Sequence, residues 1–156
     1  IKLGSGTAVG NLNVIRNVKK IELHEKARIG NLNWITSNLE NVEETKAVLE
    51  MRTSSVITSR HYLDVSGGIL FHAGSGLLGI RSTIMTHGVH PVRRNQNYHE
   101  TTIGINTLIG SNSIIVPNTI IPNDSYFGMG SLISGEYSDA KMVYVTPKSR
   151  AKRKLS

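Results

Sequence analysis

Between Ile103 and Ile133 a large apolar side chain recurs at every sixth position. The positions are Ile103, Ile109, Ile115, Ile121, Phe127 and Ile133, and a small hydroxyl residue follows four residues later at Thr107, Ser113, Thr119, Ser125 and Ser131. An amphipathic helix needs apolar residues three and four apart, and a half-buried strand needs them two apart. A period of six instead predicts short strands joined by tight turns, which is the hexapeptide pattern of a parallel β-helix.

The same period begins at Val9 and is interrupted at four places. Two extra residues precede Ile29, a non-repeating segment covers about 38–50, the ladder slips by three residues at Gly74–Gly76, and the chain leaves it over about 87–102. Asn41 and Glu44 have the spacing of a capping box. We therefore predict an all-β domain with an inserted short helical loop at about 38–50 and an extended loop at about 87–102, which is the kind of loop where a solenoid's functional residues usually lie.

Three strands per coil allow each apolar position to be assigned to one face of the helix. The predicted faces are Val9, Ile29, Ile57, Leu78, Ile109 and Phe127; Ile15, Ile35, Leu63, Ile84, Ile115 and Ile133; and Ile21, Met51, Ile69, Ile103 and Ile121. His87 follows Ile84 by three residues. The register therefore predicts that His87, Asp64 one coil below and Asn118 one coil above lie in one patch.

The net charge of +7 comes from the end of the chain. Residues 140–156 contain six basic residues and no acid, whereas the rest has 12 basic and 11 acidic residues. We predict a β-helix domain over 1–139 and a basic tail over 140–156. A near-neutral body does not favour nucleic acid as a partner, and we expect any membrane contact to involve only the tail. The first residue, Ile1, lies almost inside a repeat, so we expect that some N-terminal sequence is missing.

Three stretches resemble the hexapeptide-repeat acyltransferases. They are Ile57-Thr-Ser-Arg-His-Tyr-Leu-Asp64, Gly79-Ile-Arg-Ser-Thr-Ile-Met-Thr-His87 and the ladder from Ile103. They are similar to the branch of bacterial sugar O-acetyltransferases found in capsule, O-antigen and exopolysaccharide clusters. The resemblance implies a left-handed β-helix, a homotrimer, acetyl-CoA as co-substrate, a saccharide or nucleotide-sugar acceptor, no metal and a cytoplasmic location. One departure is Val145-Thr-Pro-Lys148, where the family often has Gly-x-Pro-Ala-Lys.

Acyl transfer to a sugar hydroxyl needs a general base that works near neutral pH, and histidine is suited to this role. We predict that His87 is the base and that Asp64 fixes its tautomer. His90 is the alternative base, because His90-Pro-Val resembles a motif of related acetyltransferases. A backbone N–H near Gly110 and Ser111 is expected to stabilise the oxyanion, by analogy with the family. The chain has no cysteine, so no acyl-cysteine intermediate is expected.

The remaining predicted contacts fall into two groups. The resemblance implies that acyl-CoA lies along the last coils, where Gly128, Gly130 and Ser131 would contact the pantetheine arm and Lys148 and Arg150 the phosphates. Candidate acceptor contacts are His61, Asn118, Arg93, Arg94 and His99. Each group also has a purely structural interpretation: the glycines could only form corners, His61 could be a hydrogen-bonded interior histidine, and the arginines could be solvated.

Two other functions remain open from the sequence. A zinc enzyme of the γ-carbonic-anhydrase kind has the same fold, but it needs about three converging imidazoles, and only His87 and His90 are close in the predicted register. A non-catalytic β-solenoid that binds a partner is the other alternative, although it would not require a histidine-rich loop at one break in the ladder.

Overall fold

The computed structural model describes residues 1–38 and 46–146. In chain order its strands are β1 (Lys2–Leu3), β2 (Ala8–Val9), β3 (Val14–Arg16), β4 (Lys20–Leu23), β5 (Arg28–Ile29), β6 (Trp34–Thr36), β7 (Val48–Met51), β8 (Val56–Ser59), β9 (Tyr62–Asp64), β10 (Ile69–Phe71), β11 (Gly76–Ile80), β12 (Thr83–Ile84), β13 (His87–Val89), β14 (Gln96–Tyr98), β15 (Thr101–Ile103), β16 (Leu108–Ile109), β17 (Ile114–Ile115), β18 (Ile120–Ile121), β19 (Tyr126–Phe127), β20 (Leu132–Ile133) and β21 (Val143–Tyr144). Over the described ranges there is no helix, and hence none that is long and apolar enough to cross a membrane.

The strands form three parallel sheets and one antiparallel hairpin. Sheet A has the order β1-β4-β7-β10-β15-β18, sheet B the order β2-β5-β8-β11-β16-β19-β21, and sheet C the order β3-β6-β9-β12-β17-β20. The chain visits A, B and C in turn, so each full coil contributes one strand to each sheet. The predicted all-β left-handed parallel β-helix is confirmed.

Sheet C has the predicted register throughout. Its paired inward residues are Ile15, Ile35, Leu63, Ile84, Ile115 and Ile133. All except the first are completely buried. Because these side chains form one continuous column, the position of Ile84 on the column determines where the following residues leave the helix. This register positions the candidate site.

The predicted registers of sheets A and B were partly wrong. In sheet B, Leu77 rather than Leu78 pairs with Ile57 and Ile109, and it follows the paired Phe71 by six residues, so the predicted slip at Gly74–Gly76 does not occur. In sheet A, Met51 pairs with Phe71, and Ile69 pairs with Leu49. Strands β7 and β10 are long enough for two side chains each to point inward, because side chains alternate between the faces of a strand. A count of one anchor per strand does not detect this.

The two ends of the helix differ. Tyr144 stacks on Phe127 with 4.4 Å between ring centroids, and Tyr137 meets both rings edge-on, which covers the last coil. Strand β21 pairs with β19, so the β-helix continues beyond the predicted boundary at residue 139. At the other end Leu3 and Val9 stack on buried residues but are themselves exposed.

The predicted helical loop at about 38–50 lies largely outside the described residues. The last part of this prediction is wrong, because strand β7 begins at Val48 and joins sheet A. The break at about 87–102 is a hairpin of β13 and β14, after which β15 returns the chain to sheet A.

Candidate active site

His87 lies where the chain leaves sheet C. It starts β13, three residues after the buried Ile84, and its side chain remains 26% exposed. Asp64 ends the neighbouring strand β9, and its side chain is only 2% exposed. The His87 Nδ1 atom is 2.7 Å from Asp64 Oδ2. The predicted proximity of these two residues is therefore observed.

The Asp64 carboxylate accepts hydrogen bonds on both oxygens. Oδ1 accepts from the hydroxyl and the backbone N–H of Ser66, at 2.5 and 3.2 Å. Oδ2 accepts from the backbone N–H groups of Thr86 and His87, at 2.8 and 3.1 Å. Burial alone would raise the pKa of Asp64, but the Ser66, Thr86 and His87 hydrogen bonds together lower it. Asp64 is therefore held as an anion near neutral pH.

The contact with an ionised carboxylate determines which ring nitrogen of His87 carries the proton. Asp64 can only accept, so Nδ1 is the donor, and in the neutral ring Nε2 has the free lone pair. Within the described part of the chain no hydrogen bond to Nε2 is found. A neutral imidazole held in this tautomer is suited to remove a proton from a group placed next to Nε2.

A hollow of about 280 Å³ opens beside His87. It is lined by Thr36, Ser37, Asn38, Tyr62, Asp64, His87 and Gln96. Most of this lining comes from two neighbouring strands of sheet C, β6 and β9, and from the two residues that directly follow β6. Apart from the paired His87 and Asp64, the lining side chains are neutral hydrogen-bonding groups, a surface suited to a molecule rich in hydroxyls.

The hairpin of β13 and β14 forms one wall of this hollow. His87 is directly opposite Tyr98, and the two ring centroids are 6.3 Å apart. The Gln96 side-chain oxygen accepts hydrogen bonds from the Tyr98 hydroxyl and from the Asn38 side-chain amide. At the base of the hairpin, a Cβ on Gly67 would lie 2.4–2.6 Å from the His99 backbone, so glycine is needed for this close approach.

His90 has a different environment near the hairpin tip. Its Nδ1 accepts from the backbone N–H groups of Arg93 and Val92, at 3.1 and 3.3 Å, so this nitrogen organises the turn. Arg93, Arg94 and His99 are exposed on the same hairpin. His90 is absent from the lining of the hollow that contains His87.

His61 is buried within the helix, which does not agree with its prediction as an acceptor contact. It is 2% exposed, its Nδ1 accepts from Ser82 N–H at 3.1 Å, and its Nε2 lies 3.0 Å from the Thr58 hydroxyl. Burial lowers its pKa from 6.5 to about 4. His61 occupies a position that is usually filled by a small hydroxyl residue, and it takes over the hydrogen bonding of that column.

Asn118 occupies an exposed corner after β17, with a φ of 61° in the left-handed region. Asparagine tolerates this conformation better than most residues. A Cβ on Gly88 would lie 3.9 Å from the Pro117 ring, so this corner faces the start of the hairpin. The coil that carries Asn118 is therefore beside the site, as the register predicted.

The predicted CoA residues lie at the other edge of sheet C. Gly110 and Gly128 follow strands of sheet B and precede strands of sheet C. The Gly110 N–H donates to Phe127 O at 2.8 Å, so it is not free to bind an oxyanion as expected. The Gly130 N–H donates to Ser111 O, and the Ser131 hydroxyl donates to Gly128 O. Lys148 and Arg150 lie outside the described residues.

A second hollow, of about 300 Å³, opens at this edge on the last coil. Its lining consists of Phe127, Ser131, Leu132, Tyr137, Tyr144, Val145 and Thr146. One chain therefore presents two separate hollows: one at the corner between sheets C and A with His87, and one at the corner between sheets B and C with Ser131.

The described residues contain one group of possible metal ligands, Glu22, His24 and Glu50. It lies on the outer face of sheet A and has a single imidazole. Lys2 and Lys20 pair with Glu22, which lowers the pKa of Glu22 to about 2, and Arg52 pairs with Glu50. Cationic side chains therefore already neutralise both carboxylates.

Several residues near His87 were not predicted as site residues, among them Thr86, Tyr62 and Gln96. Thr86 holds Asp64, while Tyr62 and Gln96 line the hollow. The signal for Tyr62 was available, since it lies next to Leu63 and alternation turns it outward on the strand that carries Asp64. Gln96 lies in the hairpin, where the hexapeptide period gives no register.

The chain has the same fold as solved structures of an acyltransferase. No protein-family model and no curated protein matches the sequence. A mutant of AntD, an N-acyltransferase from Bacillus cereus, in complex with dTDP and coenzyme A superposes with a TM-score of 0.63 and 18% identity, covering 93% of this chain and 84% of that chain. Another AntD mutant, in complex with dTDP-4-amino-4,6-dideoxyglucose and coenzyme A, superposes with a TM-score of 0.64 and 19% identity, covering 92% of this chain and 81% of that chain. At such identities the likeness establishes the shared fold.

Proposed function

We propose that this protein is an acetyl-CoA-dependent O-acetyltransferase that acts on a sugar hydroxyl, with His87 as general base. The observation that carries the proposal is the 2.7 Å contact between His87 Nδ1 and the buried Asp64 carboxylate, at the mouth of a polar hollow. Structural similarity to enzymes crystallised with coenzyme A and a nucleotide sugar supports the same class of chemistry.

The proposed reaction transfers the acyl group directly. His87 Nε2 takes the proton of the acceptor hydroxyl while the oxygen attacks the thioester carbonyl. The tetrahedral intermediate then collapses, the C–S bond breaks, and the imidazolium gives the proton to the departing thiolate. The products are the acetyl ester and free coenzyme A. Asp64 stays ionised and stabilises the imidazolium, as a carboxylate does in other acid–base pairs.

An amino sugar is the second candidate acceptor. AntD is an N-acyltransferase crystallised with an amino sugar linked to dTDP, so a nucleotide-linked acceptor with an amino group has a specific precedent on this fold. In either case the neutral hollow would hold the sugar. Arg93 and Arg94, exposed on the hairpin, would be available to a diphosphate, and Asn118 and His99 are the other exposed candidate contacts.

A homotrimer would bring the two hollows together. Sheet C carries an outward column that includes Val14, Trp34, Tyr62, Ile114 and Leu132, whose side chains are 39–67% exposed. Burying an apolar stripe against a second copy is favourable. Acyl-CoA held beside Gly128 and Ser131 of one copy, with Lys148 and Arg150 near its phosphates, would then reach His87 of the next copy.

We place the reaction in the cytoplasmic biosynthesis of a bacterial polysaccharide, on the basis of the sequence resemblance. A zinc enzyme is less well supported, since the one ligand group in the described residues has a single imidazole and neutralised carboxylates. A pure scaffold does not account for a carboxylate with several hydrogen-bond donors next to a half-exposed histidine.

The test measures thiol release from acetyl-CoA with pairs of nucleotide sugars and oligosaccharides that differ only by hydroxyl or amine at one carbon. Mass spectrometry then identifies the acylated atom. Turnover with hydroxyl acceptors is the expected result, and turnover only with amines would move the assignment to N-acylation. Stoichiometric zinc binding without any binding of coenzyme A would contradict the proposal.

A further inference from the structure

Ser66 connects the acid–base pair to another part of the chain. It follows β9, is fully buried, and its hydroxyl donates to Asp64 Oδ1 at 2.5 Å. The same hydroxyl oxygen accepts the backbone N–H of Asn38 at 2.8 Å. A hydroxyl has a single proton. Because the carboxylate takes that proton, the direction of the whole series is determined: Asn38 donates to Ser66, and Ser66 donates to Asp64.

The two oxygens of Asp64 consequently have different partners. Ser66 binds Oδ1 with its hydroxyl and its N–H, whereas the backbone of Thr86 and the ring of His87 bind Oδ2. The terminal torsion of an aspartate is broad and roughly two-fold, so packing alone restrains it weakly. The Ser66 contacts hold Oδ1, and together with the Thr86 N–H and hydroxyl and the His87 N–H on Oδ2 they keep the carboxylate directed at the His87 Nδ1 proton.

We propose that Ser66 is a positioning residue for the general base. It orients the Asp64 carboxylate. Because its hydroxyl also accepts the N–H of Asn38, this orientation depends on the position of Asn38, two residues after β6. The proposal rests on the proposed function for the reaction concerned, but the geometry of the His87 ring can be measured without any turnover.

Few charged groups surround His87, so an effect of Ser66 on the His87 tautomer can be measured. The titratable groups that face it in the described structure are Asp64, Tyr62 from β9 and Tyr98 from β14. Phenols are uncharged near neutral pH, and burial raises the pKa of Tyr62 further. Among the residues that the structure describes, Asp64 is therefore the charged group that controls the His87 tautomer.

The test compares Ser66→Ala with a matched control, Ser55→Ala. Ser55 is equally buried, and its hydroxyl donates to Arg52 O at 2.7 Å on a coil corner away from His87. Nitrogen-15 NMR of the imidazoles reports which His87 nitrogen carries the proton at neutral pH. Steady-state kinetics separate kcat from the KM for acetyl-CoA, and melting temperatures confirm folding.

In Ser66→Ala we expect a mixed His87 tautomer, a kcat reduced about 10-fold and an unchanged KM for acetyl-CoA. In Ser55→Ala we expect a single His87 tautomer. Ser66→Thr, which retains the hydroxyl, should restore the single tautomer. An unchanged His87 tautomer in folded Ser66→Ala would overturn the proposal. If the wild-type protein released no thiol with any acceptor, the proposed reaction would fail, and the NMR comparison would still decide the role of Ser66.

Discussion

Asp64 ends β9 and His87 follows β12, two paired strands of sheet C, and Asp64 Oδ2 lies 2.7 Å from His87 Nδ1. The paired residues Leu63 and Ile84 are completely buried on the axis. Because each functional residue follows its axial neighbour by one or three positions, the packing of the core determines the geometry of the pair. The coil stacking thus supplies the rigid support that the proposed catalytic pair would need.

Asp64→Asn should remove most of the activity without unfolding the protein. An amide presents one donor and one acceptor in place of two acceptors, so it no longer selects the Nδ1–H tautomer. We expect kcat to fall about 100-fold or more, by comparison with the effect of the same substitution in a catalytic triad. The measurement is thiol release under saturating acetyl-CoA, and activity within three-fold of wild type would contradict the role of Asp64.

The same variant has a predicted effect on acid stability. The pKa of Asp64 is lowered in the folded protein, so its ionised form contributes stability above about pH 4 that is lost as the pH falls through the folded-state pKa. Melting temperatures below pH 4 should therefore decline more steeply for wild type than for Asp64→Asn. Parallel declines would contradict this assignment.

His61 should make the fold less stable in mild acid. Its pKa is lowered by burial to about 4, whereas an unfolded histidine has a pKa of about 6.5, so the unfolded state binds an extra proton between these values. Stability should fall as the pH decreases from about 6.5 to 4. In His61→Ala this part of the decline should disappear, and stability at pH 7 should be lower by about 1–3 kcal/mol because the Ser82 N–H loses its acceptor. Chemical denaturation across this range measures both effects.

Ile114 offers a test of the oligomer that leaves the core intact. It is 50% exposed on the outer face of sheet C, and the neighbouring Ile115 is fully buried on the axis. Ile114→Lys should convert a trimer into monomers in analytical ultracentrifugation. Ile120→Lys is the matched control, because Ile120 is 45% exposed on sheet A. A trimer that persists in Ile114→Lys would argue against sheet C as the interface.

Sheet C and the pairing of His87 with Asp64 were predictable because each coil supplies one anchor of the hexapeptide period to that column, and the interruptions fall between those anchors. The period predicts which residues lie on neighbouring coils and how far each lies from its buried anchor. This was sufficient to place Asp64 after Leu63 beside His87 after Ile84. The period fails where strands are longer, as at Phe71 and Leu49, because two inward residues then share one strand.

Two other features could not be obtained from the period. The contact between Asn38 and Gln96 joins two segments outside the ladder that are 58 residues apart in sequence. Periodicity holds no information on such a contact. The burial of His61 was also unresolved, since a histidine in the small-residue column fits either a ligand contact or an interior hydrogen bond, and only packing distinguishes the two.

The most direct test of the account is the rate of thiol release from acetyl-CoA by wild type, His87→Gln and His90→Gln with the same sugar acceptor. General base catalysis contributes roughly 100- to 10,000-fold. We predict a loss of that size in His87→Gln and a rate within several-fold of wild type in His90→Gln. Full turnover in folded His87→Gln, with loss in His90→Gln, would contradict the assignment of His87 as the base.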